Sequence, residues 1–297
     1  MPKLIAGVPA DHVLFTRMAA LSEQAMPAEA MAAMMKQQVL KAGGDPAHYG
    51  APPPHPDLFV AGITQAQHFL PCVAEGRIAV RPGGSHIDGR AVQFADGARI
   101  EPDAIIFATG YAPSLGYFAD REAETLQLAD GAPDLHAHSF HPDLPGLAFV
   151  GLYNLVGPKF PVIELQARWI AALWAGRQAM PARADMVEGV AAARARRIGG
   201  QQPVMHAMAI DFARRHGVDP DPLGWPSLTR ALLFGPLSPT AFRLEGPDRI
   251  IGAAQAFAAE AALFGGAPVS ALADAERAAC DAVGLPVCST RDLQPFQ

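Results

Sequence analysis

The feature of the sequence with the clearest chemical potential is an apolar run that ends in two small residues. Residues 104–108 include Ile105, Ile106 and Phe107, and Thr109 and Gly110 follow directly. A small side chain followed by glycine lets the backbone turn sharply against a bound cofactor. The same pattern also fits a core strand that leaves its sheet through an ordinary glycine turn. We predict a strand buried on both faces. The turn after it is either a functional turn that contacts a cofactor or an ordinary glycine turn.

A second candidate for chemistry is a group of histidines, His136, His138 and His141. Imidazoles at such spacing can share a metal ion. Only Asp134 and Asp143 accompany them, in a loop flanked by prolines. The pattern therefore favours solvated loop histidines over a metal site.

The clearest helical pattern follows Pro161. Its apolar side chains form one stripe at helical spacing: Val162, Leu165, Trp169, Ala172 and Leu173. Glu164 and Arg168 are spaced as an ion pair on one helix face, and Gly176 is placed to end the helix. We predict a core helix over residues 161–174, whose positive N-terminal end could also face a group that carries negative charge.

The rest of the chain divides by composition. Residues 17–40 predict two helices separated by Pro27, and the proline-rich residues 45–56 predict a loop. The chain from residue 186 onward is mostly helical in pattern.

Between these regions, residues 76–111 predict short strands at 78–80, 91–94 and 104–108, with turns at Gly83-Gly84, Asp88-Gly89 and Asp96-Gly97. The Asp-Gly turns indicate a β-meander that precedes the apolar strand at 104–108. A second buried strand is expected at 147–150, just before Gly151.

Composition excludes several classes of protein. Half of the 297 residues are apolar, 18% are charged and the net charge is -6, so neither nucleic acid nor an anionic membrane is an expected partner. No apolar run reaches bilayer-spanning length. Cys72, Cys280 and Cys288 lack the paired spacing of a disulfide scaffold or zinc site, which favours a cytoplasmic protein.

Several segments together resemble the flavin-containing monooxygenases. The Phe-Ala-Thr-Gly-Tyr run at residues 107–111 matches a family motif that marks the return from the NADPH domain to the FAD domain. Other similar segments follow the family's order: residues 7–11, 48–50, 151–169, 234–239 and 242–247. The resemblance covers nearly the whole chain.

The resemblance implies an α/β fold that is part of a flavoprotein with two dinucleotide-binding domains, a β-meander and a helical C-terminal region. Residues 1–102 would be the remainder of the NADPH-binding domain with a helical insertion and the meander. Residues 103–178 would be the C-terminal part of the FAD-binding domain, and residues 179–297 the helical region. Neither family Gly-x-Gly-x-x-Gly fingerprint occurs in the sequence, so Met1 is expected to be an internal residue of a longer protein or the start of a truncated one.

The implied cofactors are FAD and NADP. The resemblance places cofactor contacts at Thr109, Gly110, Tyr111, Asn154, Gly157, Val162 and Gln166. Asn154 would supply an amide near the cofactors, and Gly157 would allow close approach. Val162 replaces the Thr frequent in relatives, so it offers no side-chain hydrogen bond. No catalytic acid, base or nucleophile is expected, because the cofactor carries the chemistry.

A complete enzyme of this kind would use NADPH, FAD and O2 to oxygenate a soft nucleophile such as an amine or sulfide. A missing N-terminal chain or a second copy is a candidate partner. Two alternatives stay open: a catalytically inactive remnant or binding partner that cannot hold FAD alone, and a Baeyer-Villiger-type oxygenase or other FAD- and NADPH-dependent oxidoreductase.

Overall fold

The computed structural model describes residues 1–111, 114–127, 133–200 and 202–287. Its helices are α1 (Ala10–Leu14), α2 (Arg17–Ala25), α3 (Ala28–Gly43), α4 (Leu58–Ala61), α5 (Phe69–Ala74), α6 (Asp120–Thr125), α7 (Phe160–Trp174), α8 (Arg183–Ile198), α9 (Met205–His216), α10 (Thr229–Phe234), α11 (Ala253–Ala262) and α12 (Asp274–Ala282). Its strands are β1 (Leu4–Ile5), β2 (Val8–Pro9), β3 (Gly84–Asp88), β4 (Ala91–Phe94) and β5 (Arg99–Ile100). This mixture of helices and small antiparallel sheets is compatible with the α/β class. Cys288 lies outside the described residues.

The two N-terminal helices follow the sequence pattern. The hydroxyl of Thr16 accepts a hydrogen bond from the Ala19 amide at 3.1 Å and so caps the start of α2. Helix α2 ends at Ala25 and α3 begins at Ala28, so the break at Pro27 is confirmed. The loop predicted at residues 45–56 is irregular except for a 3-10 turn at Pro46–Tyr49.

A three-stranded β-meander is present, but only its middle strand, β4, lies where a strand was predicted, and β5 was not predicted. Strands β3, β4 and β5 pair in order, with turns at Asp88-Gly89 and Asp96-Gly97 as predicted. Residues 78–80 are not a strand, and β3 begins at Gly84, where a turn was predicted. The amides of Arg77 and Ile78 both donate to the carbonyl of Cys72, at 2.9 and 3.2 Å, which ties this stretch to the end of α5.

The two strands predicted as buried are not formed within the described part of the chain. Residues 104–108 have no strand assignment, and Ile106 and Phe107 are 88% and 77% exposed. Residues 147–150 are also irregular, although Phe149 is buried and its amide bonds to the Ser139 carbonyl at 2.9 Å. A strand needs a neighbour to satisfy its backbone groups, and the described residues provide none here.

The core lies where α7 packs against α9. The predicted helix over 161–174 is confirmed, and its apolar stripe is buried. Trp169 is the centre of an aromatic row: its ring lies 5.5 Å from Phe140 and 5.9 Å from Phe212 between centroids. One buried cluster contains Leu14, Leu165 and Phe257, which come from the predicted domains 1–102, 103–178 and 179–297 respectively.

The C-terminal helices are joined to this core by ion pairs and apolar contacts. Arg230 of α10 pairs with Glu276 of α12 at 2.8 Å, and Arg243 pairs with Glu164 of α7 at 2.8 Å. No helix in the described ranges combines the length and the apolar character that crossing a bilayer requires.

Candidate functional site

The turn at residues 151–157, directly before α7, holds two of the predicted site residues, and we call it the α7 turn. Gly151 has a φ of +71°, a backbone conformation that favours glycine. The amide and the carbonyl of Val156 make hydrogen bonds, each 2.9 Å long, with the Pro203 carbonyl and the Met205 amide. The turn is therefore fixed to the start of α9 as well as to α7.

Gln166 anchors this turn from inside the core. Its side chain is 0% exposed, and Oε1 accepts from the Gly151 amide at 2.9 Å and the Tyr153 hydroxyl at 3.2 Å. Its Nε2 donates to the carbonyls of His138 and Phe149, at 2.9 and 3.1 Å, and lies 2.8 Å from the Ser139 hydroxyl. Gln166 thus joins the loop at residues 138–149 to the α7 turn, and its polar atoms are already satisfied.

Tyr153 was not among the predicted site residues, although it lies in a segment that carried the family resemblance. It is buried, and burial raises the pKa of its hydroxyl to about 12. The hydroxyl therefore stays protonated and serves as a donor to Gln166. The one sequence feature that indicates this role is the position of Tyr153 inside an apolar segment, which predicts that its side chain is buried.

The start of α7 is polar, uncapped and open. Lys159 is the N-cap residue, and no side chain caps the helix. Phe160, the first helical residue, is 85% exposed. The Lys159 Nζ donates to the Tyr153 carbonyl at 3.1 Å and lies 3.5 Å from the Asn154 Oδ1. The free amides of the first turn, the ammonium group and the exposed Asn154 amide together favour a partner that carries negative charge.

Gly157 and Val162 face inward. Gly157 has a φ of +117°, and a Cβ at this position would lie 2.7 Å from the Met205 Cβ and 3.0 Å from the Phe15 ring. The close approach that this glycine allows is therefore to Phe15 and Met205. Val162 is 0% exposed, so only its backbone amide is available at the helix start.

Thr109, Gly110 and Tyr111 do not join this cluster. All three are exposed, and Tyr111 is 104% exposed. Within the described ranges, no hydrogen bond links residues 109–111 to the α7 turn. The structure therefore brings together Asn154, Gly157, Val162 and Gln166, and leaves the Thr109 to Tyr111 group apart.

The burial of the three histidines contradicts the prediction of a solvated loop. His136 is buried, and His138 and His141 are half-buried. Burial is the main cause that lowers the pKa of each imidazole, and it brings the pKa of His138 to about 4 with help from the charge of Arg196. The His138 ring packs on Tyr153 with centroids 5.2 Å apart. In the part of the chain that the structure describes, no group of three or more ligating side chains is arranged for a metal ion.

A comparison with known families identifies the group to which this geometry belongs. A family model described as flavin-binding monooxygenase-like matches residues 3–262. The chain belongs to this family.

Individual relatives agree with the family match. The chain is 29% identical over 266 residues to the N-oxide-forming dimethylaniline monooxygenase 2 of Mus musculus, an alignment that covers 84% of this chain and 49% of the relative. The corresponding protein of Rattus norvegicus is 30% identical over the same shares. Flavin-containing monooxygenase 5 of Cavia porcellus is 29% identical over 199 residues, or 62% of this chain and 37% of the relative. The chain spans about half the length of the dimethylaniline monooxygenases it matches.

For a member of the flavin-binding monooxygenase-like family, the described residues fit one end of a flavin and not the other. The uncapped start of α7, with Lys159 and Asn154 exposed beside it, suits the pyrimidine edge of the ring, where negative charge develops on reduction. A pyrophosphate needs a glycine-rich loop that presents several backbone amides, and the sequence contains no Gly-x-Gly-x-x-Gly.

Proposed function

We propose that this chain is the C-terminal part of a flavin-dependent monooxygenase that uses NADPH, FAD and O2 to oxygenate a soft nucleophile such as an amine or a sulfide. The observation that carries the proposal is the uncapped start of α7 beside the rigid α7 turn, in a chain of the flavin-binding monooxygenase-like family. The names of the matched relatives support an amine as one substrate. The whole enzyme would include residues beyond these 297.

The proposed role of α7 is electrostatic. A bound flavin supplies the redox chemistry, accepting a hydride from NADPH and reacting with O2. The positive end of the α7 dipole and the Lys159 ammonium group would stabilise negative charge at the pyrimidine edge of the reduced ring. The Val162 amide lies in the first helical turn and can point to that edge, although its side chain is buried.

Asn154 is the side chain that we assign to direct cofactor contact. It is exposed, and its Oδ1 has only a long contact of 3.5 Å with Lys159, so its amide group is free to donate. Gln166 has a different proposed role. It is a positioning residue, because it holds Gly151 and Tyr153 by hydrogen bonds and has no exposed atom left for a ligand.

The exposed apolar run supports the proposal that the FAD domain is incomplete in this chain. Ile106, Phe107 and Tyr111 would be covered if residues 104–111 joined a sheet of the nucleotide-binding domains. The Thr109-Gly110 turn would then lie at the end of a strand, where open α/β sheets bind their ligands. Cofactor contacts at Thr109, Gly110 and Tyr111 depend on this docking. The free Cys72 and Cys280 support a reducing, cytoplasmic setting.

A specific observation keeps the inactive alternative open. In the described residues the strand at 104–108 is not formed, so the chain by itself presents no sheet edge of this kind for a dinucleotide. A chain made only of these residues would then act as a binding partner or have no catalytic role.

The experiment that separates the two begins with the DNA upstream of the Met1 codon. If that DNA continues the reading frame and encodes Gly-x-Gly-x-x-Gly motifs, the extended protein should purify with FAD and oxidise NADPH. It should also convert N,N-dimethylaniline or an aryl methyl sulfide to the N-oxide or sulfoxide, measured by mass spectrometry. An extended protein that binds FAD but forms neither product would overturn the proposed reaction.

The role of Asn154 is tested in the same extended protein. Asn154→Leu should lower flavin retention or the rate of flavin reduction by NADPH, while Gln24→Leu, an exposed amide on α2, should change neither. The 297-residue chain alone should be colourless, and stoichiometric flavin binding by it would contradict the assignment of the nucleotide loops to another part of the protein.

A further inference from the structure

A cleft separate from the α7 turn lies between helices α8 and α9. Its volume is about 560 Å³, and the loop residues His136 and His138 form its third wall. We call it the α8–α9 cleft. The residues assigned above to the flavin edge, Asn154, Lys159 and Phe160, do not line it.

The backbone of the loop holds both imidazoles at this cleft in an unusual conformation. Ala137 and His138 have φ values of +46° and +52°, which residues other than glycine seldom adopt. A hydrogen bond from the Ser139 hydroxyl to the Ala137 carbonyl, at 2.8 Å, stabilises the turn. Such a backbone conformation is strained and persists only where the surrounding structure holds it in place. Conformations of this kind are frequent at ligand sites.

His136 is the polar group that calls for an explanation. It is only 9% exposed, and neither of its ring nitrogens has a hydrogen-bond partner within the described ranges. The Asp185 backbone is near enough to act on the pKa of the ring, but not in the geometry of a hydrogen bond. A Cβ at Gly189 would lie 2.2 Å from its Nδ1, so the ring is pressed against the backbone of α8. Both ring nitrogens are shielded from solvent, so His136 forms a fixed wall of the cleft, and its unpartnered polar atoms are a destabilising feature that the fold retains there.

Positive charge gathers at one end of the cleft. Arg196 of α8 is exposed and forms no hydrogen bond or ion pair in the described part of the chain, and it is close enough to lower the pKa of His138. Arg215 of α9 stacks over the Trp169 ring at 5.4 Å and is held by Asp211 at 2.7 Å. Trp169 and Asp211 thus hold the Arg215 guanidinium in place, while the Arg196 guanidinium is free to bind a ligand.

Negative charge at the cleft lies mainly at the opposite end. Asp185 and Glu188 are in the first two turns of α8, and Glu188 is about 12 Å along the helix from Arg196, at 1.5 Å per residue. Asp211 is already paired with Arg215. An anion near Arg196 would therefore meet two arginines and His138 at a distance from the free carboxylates.

We infer that the α8–α9 cleft is a binding site for a small anion, the carboxylate or phosphate group of a metabolite, held by Arg196, Arg215 and the His138 imidazole. The site is joined to the α7 turn by Gln166 and by the packing of the His138 ring on Tyr153, with ring centroids 5.2 Å apart. The His138 carbonyl accepts from Gln166 Nε2 at 2.9 Å, and Gln166 Oε1 accepts from the Gly151 amide at 2.9 Å.

The direct test is an NMR titration of the 297-residue chain with ¹³C-labelled histidine, assigned with His138→Gln. The pKa of His138 is measured with and without inorganic phosphate, at an ionic strength held constant with sodium chloride. A bound anion stabilises the imidazolium, so phosphate should raise this pKa by about one unit, which corresponds to about tenfold tighter binding to the protonated form. Acetate in place of phosphate shows whether a carboxylate suffices.

Variants of Arg196 on α8, and of a control arginine outside the cleft, test whether phosphate binds at the cleft. Arg196→Gln should weaken phosphate binding about tenfold, Arg196→Lys should largely restore it, and Arg177→Gln, an exposed arginine outside the cleft, should have no effect. An unchanged His138 pKa in the unaltered chain, or a shift that survives in Arg196→Gln, overturns the proposal. If Arg196→Gln does not fold, the titration of the unaltered chain decides alone. None of these readouts requires flavin, so failure here leaves the proposed function standing.

Discussion

Arg168 of α7 holds Asp248 by two hydrogen bonds, with Nε 2.8 Å from Oδ2 and Nη2 2.7 Å from Oδ1. The same Oδ2 lies 3.2 Å from His216 Nε2 and 3.1 Å from an Arg243 nitrogen. The two partners are 80 positions apart in the chain, so the pair fixes the helix of the proposed flavin site to the C-terminal region. This carboxylate is the centre of the network.

The first prediction concerns acid stability. Burial alone would raise the pKa of Asp248, but hydrogen bonds from Arg168 and His216 outweigh it and lower the pKa to about 2. A carboxyl group with a lowered pKa stabilises the fold above its unfolded value of 3.8, and this stability is lost as the pH falls towards about 2. Asp248→Asn should lower the free energy of unfolding at neutral pH by on the order of 2 kcal/mol.

Urea denaturation followed by tryptophan fluorescence, at pH values from neutral down to about 2, measures this effect. The difference between the unaltered chain and Asp248→Asn should shrink as the pH falls through that window. Asp103→Asn, an exposed carboxylate with no ion pair in the described residues, should match the unaltered chain throughout. A gap of constant size at every pH would show that the ionised carboxylate is not the source.

The second prediction concerns Gln166. Gln166→Leu keeps the approximate volume but leaves the Gly151 amide, the Tyr153 hydroxyl and the His138 carbonyl without a partner. We expect a loss of about 2 to 4 kcal/mol in the free energy of unfolding, since each buried unsatisfied group costs about 1 to 3 kcal/mol and the turn can relax in part. Gln24→Leu on the exposed face of α2 is the control. Equal urea midpoints for the two variants would contradict the anchoring role.

Local patterns in the sequence predicted the helical part of the fold well. Helix α7 and the break at Pro27 depend on residues within a few positions of one another, and so do the turns at Asp88-Gly89 and Asp96-Gly97. The strand at 104–108 could not be predicted from such local patterns. Its apolar run predicts burial, but burial depends on a neighbouring strand that the described residues do not provide.

The candidate site was predictable only in part. The family resemblance gave Asn154 and Gln166 as cofactor contacts, and in the structure Gln166 binds Gly151 in the same turn that holds Asn154. The helical spacing of Gln166 from Val162 and Trp169 on the apolar stripe indicates its burial, whereas no such periodicity applies to Asn154 in the turn. The packing of His136 against Gly189 and the pairing of Asp134 with Arg197 join distant segments, so no spacing rule could reveal them.

The third prediction tests the close packing behind the α7 turn. Gly157→Ala places a Cβ 2.7 Å from the Met205 Cβ at a φ of +117°, so both contact and backbone oppose the change. A loss of about 2 to 3 kcal/mol in the free energy of unfolding is expected. Gly176→Ala has a positive φ of +67° but nothing within 4 Å, so it should cost only about 1 to 2 kcal/mol. If the two variants cost the same, the contact with Phe15 and Met205 contributes nothing.

The fourth prediction concerns the exposed apolar run. Because Ile106 is 88% exposed, Ile106→Asp removes no packing from the isolated chain, and the free energy of unfolding should change by less than about 0.5 kcal/mol. Aggregation measured by light scattering should fall, because an exposed apolar segment with unpaired backbone groups favours association. Ile198→Asp, on α8 and 75% exposed, is the matched control outside this segment and should reduce aggregation less.

The same substitution should have the opposite effect in an extended protein that contains the nucleotide-binding domains. There Ile106 would be buried in a sheet, and an aspartate would cost several kcal/mol and release the flavin. An extended protein in which Ile106→Asp leaves both the unfolding midpoint and the flavin content unchanged would show that residues 104–111 do not enter the sheet. The contrast between the two proteins is thus the measurement that decides whether this run is a surface of the molecule or one of its interior strands.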